Sequence, residues 1–541
     1  MRQYFFFSCF LTVLALAWLP AQSYHPDRIA LKSIPFAELG GLQSYAFGVH
    51  EGNWLIVGGR LDGLHRRQPF AAFDQAGHNN SLLVVDPLSR QSWSATMDSL
   101  PEDLREQLSA TNSLFHQEGD QLYIVGGYGY SPHEEDHTTF PFLTVIDLPG
   151  LISAIKGGSS IAPFFWQTSD EKFRITGGRM GKLENVFYLV GGQKFIGRYN
   201  PMGPDHGPGF IQEYTNQVRR FTIAEVEDLP VVQFLPDWTD EEQLHRRDYN
   251  LFPQIFPDGS EGYTAFSGVF RYDADLPFLN SVDIDPNGYT VNYDFLQYYN
   301  HYHCAGIPMY SAEENEMHTL FFGGIAQFYQ ENGERVRDDE VPFVKTIARI
   351  SRSATGEMEE HVLDQALPAY LGAGAEFIRA PEVATYDNGV IRLDDLPNVD
   401  SLLIGYIYGG IQSEAANIFF VNDGTQSIAT SGVFAVYLLG ETTSKVEDGL
   451  GGEGLLLRLF PNPVNNTFTL EFELTSAFDT LDVEVVDSAG KRVFFTRLTD
   501  RLPGFQQFLW TVRSELAAGT YVLSLSSGGH VLGRTRFLYG F

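Results

Sequence analysis

The 541-residue chain has very little cysteine, with only Cys9 and Cys304. Cys9 lies in an apolar run of about 15 residues, between Tyr4 and Leu19, that is followed by Ala21-Gln22-Ser23. This pattern is typical of a signal peptide and is too short for a membrane-spanning helix, so we expect residues 1–23 to be removed. Removal leaves Cys304 alone, which excludes an intrachain disulfide in the mature protein.

Positive charge is also scarce. The chain has 36 lysines and arginines against 68 aspartates and glutamates, a formal net charge of −32. Such a surface repels nucleic acid and anionic membranes, so we expect neither as a partner. We also expect no membrane span once the signal peptide is removed. No cofactor is identified by the sequence, and calcium and copper are both compatible with it.

Several catalytic motifs are missing. The sequence contains no sialidase-type Asp-box, Gly-x-Ser-x-Gly elbow, phosphate loop or zinc-protease helix. These absences disfavour enzymes of those classes, although other enzyme classes stay open.

What the sequence does contain is a repeated motif of apolar residues followed by Gly-Gly. The copies are Asn53–Gly59, Gln121–Gly127, Val186–Gly192, His318–Gly324 and Ile404–Gly410, with a degenerate copy at Tyr263–Gly268. Each apolar run predicts a strand buried on both faces. The glycines predict positive φ and the close approach of another backbone.

These units, each followed by a second strand such as Ser81–Pro87 and then Trp93, resemble the kelch repeat. That family folds as a β-propeller of four-stranded blades. The resemblance implies an all-β chain, with a six-bladed kelch-type β-propeller at residues 24–440. The copies are 56 to 86 residues apart, where simple kelch blades have about 50. We expect residues 28–33 to close the propeller as the outer strand of the last blade.

Long loops follow the glycine pairs. Because strand direction alternates within a blade, these loops and the connections between blades emerge on one face, where we expect function to lie. Capping-box spacing at Ser99–Glu102 and Thr239–Glu242 predicts two short helices between blades.

An acidic linker at residues 441–454 precedes alternating strands that predict a small β-sandwich at residues 455–541. This segment contains Pro461-Asn462-Pro463, Asp487-Ser488-Ala489-Gly490-Lys491 and Gly519-Thr520-Tyr521. It resembles the type A C-terminal sorting domain of the type IX secretion system, with Pro461, Asn462, Pro463, Gly519 and Tyr521 as motif residues. The alternative is an accessory ligand-binding sandwich. The resemblance implies the type IX machinery as a partner and a secreted or outer-membrane-surface location, reached through the periplasm.

Arginines next to tyrosines recur at the expected loop face. Such pairs suit carboxylates, sulfates or sugar rings, through bidentate hydrogen bonds and stacking. The alternative is that they pair with the abundant acidic residues and hold blades together. The candidate ligand-binding residues are Arg179, Arg198, Tyr199, Arg246, Arg247, Tyr249, Arg271 and Tyr272.

His301 and His303 flank Tyr302 and would share one face of an extended chain, as metal ligands do. Packed imidazoles at the start of a strand are the alternative. Kelch-fold copper-radical oxidases also place histidines, tyrosines and a Cys–Tyr cross-link near the axis, but no motif here aligns with theirs.

The sequence therefore favours a secreted or cell-surface binding module for a glycan or a surface protein. One alternative is a carbohydrate-active or metal-dependent redox enzyme acting at the axial mouth of the propeller. A structural surface adhesin is the other. Neither the ligand nor the oligomeric state follows from the sequence.

Overall fold

The computed structural model is nearly all-β, with strands joined by turns and loops and only a few short helices. It describes residues 24–36, 39–226, 229–331, 333–397, 399–440, 455, 457–460, 462–464, 467–474, 476–487, 490–512, 516–528 and 530–540. The predicted signal peptide and linker lie outside these residues. The described chain forms two compact units, one comprising His25–Leu396 with Ser401–Leu439 and the other mainly the residues from Gly440 on. The predicted all-β fold is confirmed.

Six sheets follow one another in the described part of the first unit; five contain an apolar-Gly-Gly copy and the fourth contains the degenerate copy. The strands pair antiparallel, except that Ile391–Arg392 pairs parallel with Gly306–Ser311. Sheet 1 contains Ala46–His50, Asn53–Val57, Ser81–Asp86 and Gln91–Thr96; sheet 2 contains Leu114–Glu118, Gln121–Val125, Phe142–Asp147 and Phe165–Ser169. Sheet 3 contains Arg179–Leu183, Val186–Val190, Gln217–Val226 and Leu229–Thr239; sheet 4 contains Asn250–Ile255, Glu261–Phe266, Ser281–Asp285 and Gly288–Asn292. Sheet 5 contains Gly306–Ser311, Glu316–Phe322, Ile347–Arg352 and Met358–Val362, extended by Ile391–Arg392; sheet 6 contains Ala375–Arg379, Ser401–Gly409, Val433–Gly440 and Tyr24–Ile34.

A central ring of backbone hydrogen bonds joins the sheets. Its members precede the first strand of each sheet and all have positive φ: Ser44, Asn112, Gly177, Asp248, His303 and Gly374. Five N–H···O bonds of 2.6–3.2 Å join successive members from Asp248 through Gly177, Asn112, Ser44 and Gly374 to His303, and the step between His303 and Asp248 has no such bond among the described residues. Sheets arranged in sequence around one centre are the architecture of a β-propeller.

The glycine pairs lie where neighbouring sheets come closest. Both glycines of each pair have positive φ, and so do Ser267 and Gly268 of the degenerate copy. At Gly126 an added Cβ would lie 1.9 Å from the carbonyl oxygen of Ile175, in the connection to the next sheet. The N–H of Gly127 donates to that same oxygen at 2.9 Å. The close backbone approach predicted from the motif is therefore present.

The amino-terminal strand closes sheet 6. Tyr24–Ile34 forms the outer strand beside Val433–Gly440, so the predicted closure by residues 28–33 is confirmed, with a strand that begins earlier. The strands in this sheet come from opposite ends of the unit.

Four two-stranded hairpins extend the loops after the glycine pairs. They are Tyr128–Ser131 with Asp136–Thr139, Gln193–Ile196 with Ile211–Tyr214, Phe328–Glu331 with Glu334–Arg337, and Ile411–Ser413 with Ser427–Ala429.

Helices are short and few in the described residues. The predicted helix after Ser99 is confirmed at Glu102–Leu108, and Leu148–Gly157 is a second helix that the sequence did not indicate. Single 3-10 turns occur at Gln75–Gly77, Ala162–Phe164, Glu171–Phe173, Pro204–His206 and Leu393–Asp395. The helix predicted at Thr239–Glu242 is wrong, because that segment forms a turn. There the Asp240 carboxylate accepts hydrogen bonds from the N–H groups of Glu242 and Gln243, at 3.0 and 2.9 Å.

The carboxy-terminal unit contains two sheets. One comprises Leu457–Phe460, Thr467–Leu474 and Gly504–Thr511; the other comprises Phe478–Asp487, Arg492–Arg501, Gly519–Ser527 and His530–Tyr539. A single apolar cluster that includes Phe468, Val483, Leu523 and Phe537 draws residues from both sheets. This is the predicted β-sandwich.

A charged group connects three sheets at the centre of the first unit. Glu376 Oε1 accepts hydrogen bonds from Arg179 Nη1 at 3.2 Å and from His303 Nε2 at 3.0 Å. Arg179 Nε also donates to the carbonyl oxygen of Tyr249 at 3.1 Å. Burial alone would raise the pKa of Glu376, but Arg179 and His303 hold that pKa below its ordinary value. The buried carboxylate is therefore ionised at neutral pH.

We expect Gly126→Ala to destabilise the protein because its new methyl group meets a backbone oxygen that cannot move independently. The matched control is Gly119→Ala, since Gly119 lies in the same sheet at positive φ with nothing within 4 Å of an added Cβ. Both variants carry the strain of positive φ, so the difference isolates the close approach. Urea denaturation should show Gly126→Ala to be less stable than the control by about 1–3 kcal/mol. Equal stabilities would contradict this account of the glycine pairs.

Glu376→Gln should lower the free energy of unfolding by about 3–5 kcal/mol, because the charge of Arg179 loses its carboxylate in a buried setting. A partner variant, Arg179→Met combined with Glu376→Gln, should be less destabilised than the sum of the two single changes. The pKa of Glu376 is lowered in the folded state, so its contribution is present above the ordinary value of 4.5 and is lost as pH falls through the folded value. The stability gap between wild type and Glu376→Gln should therefore narrow below that pH. If Glu376→Gln unfolds at the same denaturant concentration as the wild type, the contact between Glu376 and Arg179 does not stabilise the first unit.

Candidate functional site

A cavity of about 300 Å³, called here the axial cavity, opens above the central ring. Each of the six sheets contributes to the wall one pair of residues joined by backbone hydrogen bonds. One member of the pair directly precedes the residue of the central ring, and the other directly follows the glycine pair or its degenerate copy. The pairs are Gln43 with Arg60, Thr111 with Tyr128, Thr176 with Gln193, Arg247 with Val269, Tyr302 with Ile325, and Ala373 with Ile411. The cavity thus lies on the loop face, where the sequence placed function.

Arg247 is the central charged group of this wall. Its Nε donates to the hydroxyl of Tyr214 at 2.9 Å, and its Nη1 donates to Asp248 Oδ2 at 2.6 Å. Within the described residues Nη2 makes no hydrogen bond. The pKa of Arg247 is raised although burial alone would lower it, since Tyr214 and Asp248 favour the charged form. One edge of a fixed guanidinium therefore remains available to a ligand.

Two further polar atoms in the cavity wall are hidden from solvent and lack partners in the described chain: Nδ1 of His65 and the hydroxyl of Tyr302. Burial, together with the charge of Arg247, lowers the pKa of His65 to about 4, and burial raises the pKa of Tyr302 well above its ordinary value. Both side chains are neutral at pH 7. Buried polar groups in folded proteins are nearly always hydrogen-bonded, so two such atoms on residues that line one cavity are an unusual feature of this wall.

Aromatic rings form one side of the axial cavity. The ring of Tyr199 lies 4.9 Å from that of His65, 5.8 Å from that of Phe73 and 5.7 Å from that of Phe195, measured between centroids. Edge-to-face contacts lock these rings together, as between Phe73 and Tyr128 at 5.2 Å. The result is a closely packed aromatic surface that includes the imidazole of His65.

The charge of the cavity wall is opposite to that of the whole chain. Three arginines, Arg60, Arg67 and Arg247, line it with a single carboxylate, Asp248. Arg60 is paired with Asp62, outside the wall. Among the described residues the guanidinium of Arg67 donates a hydrogen bond only to the carbonyl oxygen of Pro201, at 3.2 Å. In a chain of net charge −32 this is a local anion-attracting site.

The structure brings only Tyr199 and Arg247 of the predicted ligand-binding set into the axial cavity. Arg198 lies outside, where it donates to the carbonyl oxygen of Ala72 at 2.9 Å and pairs with Asp74. The expected single cluster of arginines and tyrosines is therefore not formed.

Arg246 and Tyr249 are buried structural groups. The guanidinium of Arg246 donates to the carbonyl oxygens of Gln243, Ser267 and Asn280, at 2.5–2.9 Å. The Tyr249 hydroxyl donates to the carbonyl oxygen of Val190 at 2.7 Å. Both side chains connect the approach to sheet 4 with neighbouring strands. They do so through backbone carbonyl oxygens, not through the acidic partners that the alternative interpretation gave these arginines.

The remaining three candidates lie elsewhere. Arg271 forms a two-point ion pair with Asp273, and Tyr272 is 65% exposed; both line a separate depression of about 440 Å³. Arg179 does not line the axial cavity but binds Glu376 at the centre of the unit.

The two histidines proposed as metal ligands have separate partners. His301 Nδ1 hydrogen-bonds with the carbonyl oxygen of Gly323 at 2.6 Å, whereas His303 Nε2 donates to Glu376. Both residues have positive φ, so the extended chain that would point them the same way is absent. In the described part of the chain, three potential ligand atoms come within 4.8 Å of one another at Glu314, Glu316 and His318, a group that includes neither.

Sequence reasoning missed Arg60, His65, Arg67 and Tyr302. Arg60 directly follows the first glycine pair, and His65-Arg66-Arg67 is a basic run in the next loop of a very acidic chain. That local excess of positive charge was a usable signal. Tyr302 was noted only as the residue between two histidines.

The motif residues of the carboxy-terminal unit have structural roles. Asn462 Oδ1 accepts a hydrogen bond from the N–H of Leu538 at 2.8 Å, and its side-chain amide donates to the carbonyl oxygen of Arg536 at 3.2 Å. Tyr521 is buried and stacks on Phe537, while Gly519 pairs with the end of the last strand. The motif thus fastens the first and last segments of the sandwich; Pro461 lies outside the described residues.

Several solved structures are similar to the chain at low sequence identity. A fungal alcohol oxidase of the AA5 family, in complex with copper, has a TM-score of 0.38 and 11% identity, over 94% of this chain and 99% of that one. YjhT has a TM-score of 0.40 and 10% identity, over 74% and 97%. Dimeric latent PorU from Porphyromonas gingivalis has a TM-score of 0.15 and 10% identity, over 72% and 36%. These likenesses assign no activity to this chain, and no curated protein sequence matches it.

None of the helices in the described residues has both the length and the apolar character needed to cross a membrane. Residues 458–535 match the family described as the secretion system C-terminal sorting domain. This match confirms that the segment is a C-terminal sorting domain, so the chain carries a domain that directs it through the type IX secretion system, to the cell surface or out of the cell.

Proposed function

We propose that the exported protein is a binding module whose axial cavity holds one acidic, hydroxyl-rich sugar residue of a glycan. The observation that carries this proposal is the pair of buried, partnerless atoms, His65 Nδ1 and the Tyr302 hydroxyl, beside the free edge of Arg247. We also propose that the repeats are of the kelch type and that the first unit extends over residues 24–440.

The chemistry of the wall suits such a sugar. A guanidinium binds a carboxylate through parallel hydrogen bonds, and neutral imidazole and phenol groups exchange hydrogen bonds with sugar hydroxyls. The rigid aromatic surface around Tyr199 offers a face to the apolar side of a sugar ring. The volume of about 300 Å³ is at the lower end of the range for small-ligand sites. This size favours a single sugar residue over a protein surface as the ligand.

Tyr302→Phe should weaken glycan binding without lowering stability, because the hydroxyl it removes has no hydrogen-bond partner among the described residues. We expect a loss of about 0.5–1.5 kcal/mol of binding free energy, the usual value of one hydrogen bond. The measurement is a glycan array probed with the purified protein, followed by calorimetric titration of the glycans that bind.

Tyr249→Phe is the matched control. Its hydroxyl is bonded to Val190 away from the cavity, so this variant should lose about 1 kcal/mol of stability and keep its affinity. Arg271→Ala tests the other depression and should also leave affinity unchanged. If Tyr302→Phe binds the same glycans as tightly as wild type, or if only Arg271→Ala weakens binding, the axial cavity is not the site.

Removal of residues 455–541 should leave the first unit folded but retained in the periplasm of its own host, since the sorting domain is the address for export. Cell fractionation with an antibody against the first unit measures this. The control is a variant with Tyr302→Phe in the full chain, which should be exported normally. Normal extracellular levels of the truncated chain would refute the requirement for the sorting domain.

A further inference from the structure

A group of potential metal ligands lies on sheet 5, at the start of its second strand, which is the end farther from the axial cavity. Glu316 and His318 are two residues apart on the strand Glu316–Phe322, so their side chains emerge on the same face. Glu314 lies in the turn that precedes the strand. One nitrogen or oxygen atom from each of the three side chains lies within 4.8 Å of the others.

The imidazole of His318 is held in place for this group. The residue is 3% exposed, and its Nδ1 lies 2.8 Å from the hydroxyl oxygen of Ser351 on the neighbouring strand. When Nδ1 donates to that oxygen, Nε2 carries the lone pair. Nε2 makes no hydrogen bond within the described residues and lies 4.0 Å from Glu316 Oε2. A buried imidazole thus points a partnerless nitrogen at a carboxylate, an arrangement that a cation between the two atoms would complete.

We propose that Glu314, Glu316 and His318 bind a zinc ion. One imidazole and two carboxylates are common zinc ligands, with metal–ligand distances of about 2.0–2.2 Å that the present spacing reaches through small rotations of the exposed Glu314 and the half-buried Glu316. Nitrogen in the set favours zinc over calcium, which prefers oxygen ligands alone. Two carboxylates neutralise the charge of the ion, and the Ser351 contact is the outer hydrogen bond that orients zinc-binding histidines.

Nearby positive charge does not block this site. Arg349 lies on the strand beside His318, but its Nε is 3.2 Å from Asp27 Oδ1, so its charge is compensated. His25 also lies near His318, and its Nδ1 is 3.6 Å from Oδ2 of the same Asp27. Glu313, next in the turn, adds negative charge without belonging to the group.

The test is a calorimetric titration of the metal-free full chain with zinc chloride. We expect one tight site per chain above the weak background that such an acidic protein gives with divalent cations. Glu316→Gln and the double variant Glu314→Gln with Glu316→Gln should weaken the tight site by at least about tenfold. Glu313→Gln is the matched control, an adjacent carboxylate in the same turn, and should leave the site intact.

Cobalt provides an independent readout of the nitrogen ligand. Co²⁺ bound in place of zinc should give visible d–d absorption that is lost in His318→Gln and kept in Glu313→Gln. Because His318 is buried, the glutamate variants decide the question if His318→Gln does not fold. Absence of a one-to-one zinc site in the wild-type protein, or its survival in the double glutamate variant, overturns the proposal. Neither result bears on glycan binding at the axial cavity.

Discussion

The backbone hydrogen bonds of the central ring are the constraint on which the rest of the first unit depends. They require each of the six ring residues to adopt positive φ, and they fix where every sheet begins. Because N–H and C=O groups make these bonds, the side chains at the ring are free to differ, and they include serine, asparagine, glycine, aspartate and histidine. The fold therefore places few limits on which side chains occur at its centre, and the side chains in the wall of the axial cavity are chemically varied.

The fold could be predicted from sequence because its repeated requirement is steric. A positive φ next to a neighbouring backbone calls for glycine, and glycine is visible in the sequence at Gly126-Gly127 and its counterparts. The degenerate copy keeps the conformation with Ser267, whose hydroxyl donates to the carbonyl oxygen of Phe278 at 2.8 Å. The capping-box pattern at Thr239 failed because an Asp240 side chain satisfies the same N–H groups in a turn as in a helix. Local hydrogen bonding alone does not distinguish these two outcomes.

The candidate site was less predictable because it is assembled from six distant segments. Arg246 and Arg247 are adjacent in sequence, yet one is buried among backbone carbonyls and the other lines the cavity. Adjacency to tyrosine therefore did not identify the arginines that line the axial cavity. The informative feature of His65 and Tyr302 is a lack of partners, and partners depend on tertiary packing that the sequence does not display.

The pairing of Tyr24–Ile34 with Val433–Gly440 joins the first and last strands of the unit. During synthesis and export, the first strand has no partner until nearly the whole unit has followed it, and closing so long a loop is slow. Every product that stops short of Val433 keeps open sheet edges, which are sites for aggregation and proteolysis. The match to the sorting family begins at residue 458, soon after the closing strand ends. A chain that extends as far as the sorting domain therefore already contains both of the strands that close sheet 6.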